Sequence, residues 1–420
     1  MNSLHIPDAY RADHLFLLLG ENNLPNAVAA LELVNPRGMA YLIHTDRTRS
    51  QAQHLQTFLQ DSSRFGTVTL VDLATYQAEP SVIRQRLREV ATDLPGRVGM
   101  NYTGGTKVMA VHAYRFLAHR YPDTIFSYLD SNTLEMVIDN EKDLSPRFKV
   151  PLKLSFKSLF YLHGLRWQGN SPPRAQPLLP AAAVDFATLH QDQALGQAWR
   201  SWCHQVLCAT AKVPPKQAYW RKEWQLEQLE PLAVDRLPVE WLRVLQRHLA
   251  CGSGQWNLQA GSKVGLSAAE AQPLTTLCQW LDGVWLEHYT LAQVQQIADS
   301  CGIHEAKMSF NITDPQNPQR NGPKFEFDVA FIRHYQLFAL SCSTTGSQQR
   351  CKQKLLEARV RSRQLGGIEA RVGLVCLSDR PEWLQEELAT ETRDRRVAVF
   401  GRRDLPHLGS AIKAWIQANT

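Results

Sequence analysis

The chain lacks most of the features that would decide its class at once. No apolar run approaches the roughly 20 residues that a membrane-spanning helix needs, and the N-terminus, Met1-Asn-Ser-Leu-His-Ile-Pro-Asp, has no signal-peptide apolar core. A cytoplasmic protein with no membrane partner is therefore expected. The eight cysteines are scattered and form no CxxC pair. Cys203 and Cys208 flank His204 on a predicted helix, where buried reduced thiols are expected rather than a metal site. No repeat or low-complexity tract is present. Strong charge of either sign is also missing: a net charge of +6 and a pI near 8.9 permit an anionic partner without demanding one. Gly20-Glu-Asn-Asn, after the first predicted strand, lacks the glycines of a dinucleotide fingerprint, and no P-loop order occurs. A nicotinamide-dependent oxidoreductase is therefore not expected.

What is present fits a soluble globular protein, with 44% hydrophobic and 20% charged residues over 420 positions. That length predicts two or three domains. The most informative stretch runs from Arg97 to His112. It reads as a buried strand, a glycine-rich turn from Asn101, and a helix restarting at Thr106. Gly104 and Gly105 allow close backbone approach or positive φ. Thr103 and Thr106 add hydroxyls, and Lys107 adds a cation at a helix mouth that suits an anion. On residue type alone, a ligand loop and a plain strand-to-helix turn are equally compatible with it.

Strand-length apolar runs at 14–20, 38–45, 66–71 and about 99 alternate with helical segments, followed by a predicted hairpin of 125–130 and 133–138 turning at Ser131-Asn132. This pattern predicts a doubly wound α/β domain, residues 1–145. Its ligand would lie beyond the carboxyl ends of the strands, where Glu21, Asn22 and Asn23, Thr45, Asp46 and Thr48, and Asn101 to Lys107 would converge.

Asn101-Tyr-Thr-Gly-Gly-Thr-Lys-Val-Met109 closely resembles the ligand motif of CRISPR-associated Rossmann-fold (CARF) sensor domains. The resemblance implies an activator, a cyclic oligoadenylate and for this motif form cyclic tetra-adenylate, read by a homodimer across a two-fold axis. Residues 146–270 predict a linker around Gly169-Asn-Ser-Pro-Pro-Arg174 and 177–180, then helices. Trp199, Trp202, Trp220, Trp224 and Trp241 there interleave with Lys212, Lys216, Arg221 and Lys222. Packing of a helical layer is the expected role, ahead of base stacking.

In residues 271–420 a helix from Leu281 through Glu287 to Gln296 precedes an acidic hairpin. Alternation in Lys324-Phe-Glu-Phe-Asp-Val-Ala-Phe331 puts Phe325, Phe327, Val329 and Phe331 on one face, with Glu326 and Asp328 on the other. Leu337 to Ser343 runs back, a helix spans 350–366, and Ala370–Cys376 is a strand. This order resembles the PD-(D/E)xK nuclease fold, and the chain resembles CARF nucleases of that type, active on DNA, RNA or both with Mn²⁺ or Mg²⁺. The resemblance makes Asp328 the metal aspartate and Glu287 the supplementary metal glutamate, with Glu326 in reach. The family's Glu and Lys slots hold Ser341 and Ser343, which supply no charge. A lysine migrated onto the next helix is then expected. Leu355, Leu356, Ala358 and Val360 define its packing face, so Lys352 is the first choice and Lys354 the second, with Glu357 as a displaced acid. Three functions follow: a cyclic tetra-adenylate-activated nuclease of type III CRISPR defence, a CARF sensor with a degenerate nuclease domain, or a ring nuclease that degrades the activator.

Overall fold

The computed structural model describes residues 6–139, 144–167, 172–214, 219–267, 270–313 and 325–419. Lys216, Lys324, the 169–171 part of the predicted linker and the side chain of Phe325 lie outside the described residues.

The apolar runs of the N-terminal half form strands covered on both faces: β1 (Ala12–Leu18), β2 (Val34–His44), β3 (Thr67–Asp72), β4 (Val98–Asn101) and β5 (Ile125–Asp130), all parallel. β6 (Glu135–Ile138) and β7 (Arg147–Lys149) add antiparallel pairs, giving the order β3-β2-β1-β4-β5-β6-β7. Helices α1 (Leu24–Leu33), α2 (Arg49–Asp61), α3 (Pro80–Val90) and α4 (Lys107–Arg120) connect the parallel strands. Strand order reverses between β1 and β4, which is where a doubly wound sheet opens a ligand crevice. Two local expectations change. Asp130 pairs with Glu135 and Leu134 takes φ 57°, so the hairpin turn is 131–134 rather than Ser131-Asn132. The sheet also runs on to Lys149, beyond the expected boundary at 145.

The middle segment holds α5 (Phe156–Leu162), β8 (Arg166–Trp167), α6 (Pro180–Leu189), α7 (Gln193–Trp202), α8 (Ala209–Ala211), α9 (Glu223–Leu226), β9 (Leu232–Ala233), α10 (Val239–Leu249), β10 (Gln255–Trp256), α11 (Leu258–Gly265) and α12 (Pro273–Gln279). Three of the five tryptophans pack its core as expected. Trp199 lies 4.6 Å from Trp241 and 5.0 Å from Trp202 between ring centroids, and all three are buried. Their indole N–H groups donate to backbone carbonyls of Leu281, Leu195 and Ala233. Trp220 is half-buried and Trp224 is 55% exposed.

A turn of π-helix at Trp280–Val284, with Gly283 at φ 148°, precedes α13 (Trp285–Gln296), so the regular helix starts later than Leu281. After α14 (Ala298–Cys301) come β11 (Ile303–Thr313), β12 (Phe325–Arg333), β13 (Gln336–Ser343), α15 (Gln348–Gly366), β14 (Arg371–Cys376), α16 (Pro381–Thr392), β15 (Ala398–Phe400) and α17 (Leu408–Gln417). The second sheet has the order β15-β14-β13-β12-β11-β8, so Arg166–Trp167 ties the middle segment to its edge.

Two cores hold these parts together. One joins the middle helices and α13 to Val329, Phe331, Phe338 and Leu340. The other joins the N-terminal sheet and α5 to Phe310, Phe327, Ala330, Leu337 and Leu365. Phe327 thus leaves the face of Val329 and Phe331 expected from strict alternation. Ser309 on β11 takes φ 57°, which separates Phe310 from the face of Met308, and Phe327 packs edge-on against Phe310 at 6.1 Å.

Candidate functional site

Two clefts concern function, one at each sheet. At the first, Gly104 and Gly105 make the turn after β4 possible. A Cβ on Gly104 would stand 2.2 Å from the Leu18 carbonyl oxygen, and Gly105 has φ 75°. Thr106 caps α4 by accepting from the Met109 N–H at 3.2 Å. Asn101 is fully buried beneath the loop. Its amide donates to Ser127 Oγ at 3.1 Å and its Oδ1 accepts from the Thr103 N–H at 3.2 Å. Thr103 Oγ1 accepts from the Leu129 N–H at 2.7 Å, binding the loop to β5. Lys107 is exposed at the helix mouth.

The cleft beyond β1 and β4 measures about 840 Å³ and is lined by Glu21, Asn22, Tyr102, Thr103 and Tyr128 on one side. Arg363, Gln364 and Gly367 to Glu369, at the end of α15, form the other side. Sequence periodicity carries no signal for that second wall. Asn22 Oδ1 accepts from the Leu24 N–H at 2.8 Å, while its Nδ2 is buried without a hydrogen-bond partner. Glu369 Oε2 is unpartnered too, and burial raises the Glu369 carboxyl to about 7.

Several expected ligand residues are engaged elsewhere. Asn23 is fully buried, with its amide donating to the carbonyls of Gln51 and Leu162 at 2.8 Å each. The Thr45 N–H donates to Thr48 Oγ1 at 3.0 Å, and both threonines are buried as a cap after β2. Asp46 pairs with Arg49 at 2.7 Å.

The second cleft, about 540 Å³, lies where β12 and β13 part. Their ladder ends at Val329 opposite Leu340, although β13 continues to Ser343. The backbone of Cys342 is served by side chains instead. Its N–H donates to Asp328 Oδ2 at 2.7 Å, and its carbonyl accepts from Lys354 Nζ at 2.7 Å. Lys354 also donates to Asp328 Oδ2 at 3.1 Å. Burial, the largest single influence, would lower the Lys354 pKa, but the charge and hydrogen bond of Asp328 together with Cys342 and Glu287 outweigh it and the net shift is upward.

Glu287 enters from α13. Loss of hydration, then the Asp328 carboxylate, hold its carboxyl well above the ordinary range. Glu326, at the exposed end of β12, is raised by the same two causes in the same order. Glu357 lines the cleft and accepts from Gln353 at 3.1 Å. Ser341 and Ser343 are buried, and Ser343 lines the cleft.

The two lysines are placed in the reverse of the expected order. Lys352 pairs with Glu387 at 2.9 Å and with Glu391, both on α16. The packing face of α15 is Cys351, Leu355, Ala358, Ser362 and Leu365, while Val360 is 60% exposed. Counting Val360 as inward, beside the half-buried Leu356, turns the inferred face toward Lys352.

Among the described residues, no three His, Cys, Asp or Glu side chains gather to hold a metal. The oxygens that do converge are Asp328 Oδ2 and the Cys342 carbonyl, and the Lys354 ammonium is the cation between them. Two oxygens on one positive charge are the donor chemistry of a hard divalent ion, so these residues fit one. The Cys342 carbonyl, a backbone group, has no sequence signal.

Residues 15–156 match the family model described as the Card1 CARF domain, and residues 276–419 match that of the Card1-like endonuclease domain. Protein VC1899 from Vibrio cholerae shares the fold with a TM-score of 0.70 at 17% identity, over 97% of this chain and 99% of that one. Can2 from Sulfobacillus thermosulfidooxidans, solved in complex with cyclic tetra-adenylate, gives a TM-score of 0.67 at 15% identity, over 96% and 99%. No curated protein matches the sequence.

Proposed function

We propose that this chain, a Card1-type CARF sensor joined to a Card1-like endonuclease, is switched on by cyclic tetra-adenylate and then hydrolyses phosphodiester bonds in DNA or RNA. The observation that carries the reading is Lys354, held between Asp328 and the Cys342 carbonyl at the parted strands. Its position offers a replacement for the charge missing at Ser343. When bound, a divalent cation such as Mn²⁺ or Mg²⁺ supplies an activated water and neutralises developing charge. Asp328, the Cys342 carbonyl and Glu287 would hold it. Lys354, displaced from between the Asp328 and Cys342 oxygens when the cation enters, would face the phosphate and stabilise negative charge there. Glu326 and Glu357, at the rim, position the site rather than complete it.

Cyclic tetra-adenylate fits the crevice at β1/β4. Thr103, Gly104, Gly105 and Lys107 offer backbone donors, a helix mouth and a cation for its phosphates. A symmetric ring calls for a symmetric reader, so two copies of the chain would meet over this edge. Among the described residues no helix is long and apolar enough to cross a membrane.

The test is cleavage of plasmid, single-stranded DNA and RNA with Mn²⁺, with and without cyclic tetra-adenylate. Activator-dependent cutting that EDTA and Asp328→Asn both abolish supports the proposal. Tight activator binding with no cutting of any substrate would instead favour a sensor carrying a retired nuclease, the reading that Ser341 and Ser343 favour. Linear products from the activator itself would identify a ring nuclease.

A further inference from the structure

The middle helical layer reaches the catalytic cleft. Trp220 lines that cleft together with Glu287, Cys342 and Lys354, although it comes from a segment outside the endonuclease match. Its position is fixed from two directions. The backbone of 211–213 pairs back onto 219–221, with a bridge between Lys212 and Trp220. The side chain of Lys212 then crosses the Trp220 ring, Nζ 4.4 Å from the centroid, and pairs with Asp282 at 2.7 Å. Asp282 lies in the π-helical turn leading into α13, the helix that carries Glu287. The ring is thus anchored to the same helix as a candidate catalytic carboxylate.

The surroundings differ from those of the core tryptophans. Tyr219 next to Trp220 is 78% exposed, and Trp224 is 55% exposed. Arg221 and Lys222 lie between them, and Arg350 lines the cleft from α15. Trp220 is half-buried against the middle core and lines the cleft, while the rings of Tyr219 and Trp224 near it are exposed among cations, a combination that matches what an unpaired nucleic-acid strand requires. Cations follow the backbone and rings stack on bases, independently of sequence. A duplex keeps its bases stacked inside and gives such rings nothing to bind.

We propose that Trp220, with Tyr219 beside it, is the stacking platform that positions an unpaired base of the substrate next to Asp328 and Lys354. The inference rests on the nuclease reading above. It makes single-stranded nucleic acid, or a locally opened duplex, the preferred substrate form. Trp220 is a positioning residue that acts on binding and register rather than on bond breaking. Lys212 serves by holding the ring, and its loss loosens the platform without removing a group from the reaction.

Two measurements on the full-length protein test this. The first is binding of a fluorescein-labelled oligothymidylate and of the same oligomer with abasic positions, in metal-free buffer with cyclic tetra-adenylate present, so that no cutting is required. Trp220→Ala is expected to weaken binding of the base-containing oligomer about tenfold, a usual value for one lost stacked base. Abasic binding should change little, and Trp220→Phe should restore most of the loss. The second is steady-state cleavage of matched single-stranded and duplex substrates with Mn²⁺. The expected result is a raised KM for the single strand, with kcat nearly unchanged. Equal weakening toward both oligomers, or a fall in kcat alone, would overturn the platform and leave Trp220 as a wall of the cleft. If wild type binds with the base preference but cuts nothing, the nuclease reading fails and the platform stands. Unchanged binding beside normal cutting fails the platform and leaves the nuclease.

Discussion

Two residues of helix separate Lys352 from Lys354, about 200° of rotation, and that rotation divides an ion pair with α16 from a bridge between Asp328 and Cys342. Lys354→Ala is therefore expected to lower cleavage about 100-fold or more, as removal of a charge-stabilising group does. Lys352→Ala should leave the rate within about threefold and the melting temperature little changed, since its partners are half-exposed. Initial rates and melting temperatures on the two variants check this. The candidates were readable from the sequence as residue types, and the structure brings them together: Glu287 and Lys354 line the cleft, and Asp328 accepts from Lys354. Which lysine was not readable, because an exposed valine on α15 looks identical to a buried one. Glu369 gives a separate prediction. Burial raises its carboxyl from 4.5 to about 7, so the folded state binds the proton more tightly than the unfolded one. Its ionisation is free of penalty below pH 4.5, and the cost grows through pH 7, to on the order of 3 kcal/mol. Glu369→Gln should raise the melting temperature at pH 8, and the gain should vanish toward pH 4.5. A pH-independent difference would refute that account.

At the scale of elements, the turn after β4 carries the most information. Its glycines and hydroxyls were legible because each answers a backbone demand: close approach to Leu18 at Gly104, positive φ at Gly105, a cap at Thr106. Gly104→Ala places a methyl group against the Leu18 carbonyl oxygen, so the loop must leave β1. The expected outcome is loss of cyclic tetra-adenylate binding by at least about tenfold, since a displaced loop forfeits several of the contacts that position a ligand. Thr106→Ala removes the cap and the 3.4 Å hydrogen bond to the Gln77 carbonyl, and about 1 kcal/mol of stability with them. Calorimetric titration and thermal melts distinguish the two. The loop after β2 was harder to read. Its polar residues, Thr45 and Thr48, look like ligand donors in sequence, yet they are spent on each other. The hidden variable was local capping, because a threonine that caps the next turn looks the same in sequence as one that faces a ligand.

Across the whole molecule, doubly wound sheet, helical layer and nuclease-like sheet follow one another in the predicted order, and apolar packing runs across their junctions. Interfaces between domains of one chain are usually polar and allow relative motion. Here Leu15, Phe156, Phe310, Leu337 and Leu365 belong to one continuous apolar core, a long-range arrangement that no local pattern announces. Through that packed boundary runs α15, 19 residues or about 28 Å long. Its first half presents Arg350, Lys354 and Glu357 to the catalytic cleft, and its last turns present Arg363 and Gln364 to the activator cleft. Inserting one residue between Arg359 and Val360 turns one half against the other by about 100°. Activator binding should survive that insertion within about threefold, while activator-dependent cutting is lost. Retained cutting would show that the signal travels by another route. A stiff rod touching both cavities also limits how quiet the unliganded protein can be. Under the activation proposed above, motion of the Gly366–Gly367 end would reach Lys354, and the background damage between infections would be set by how firmly an empty crevice grips the end of one helix.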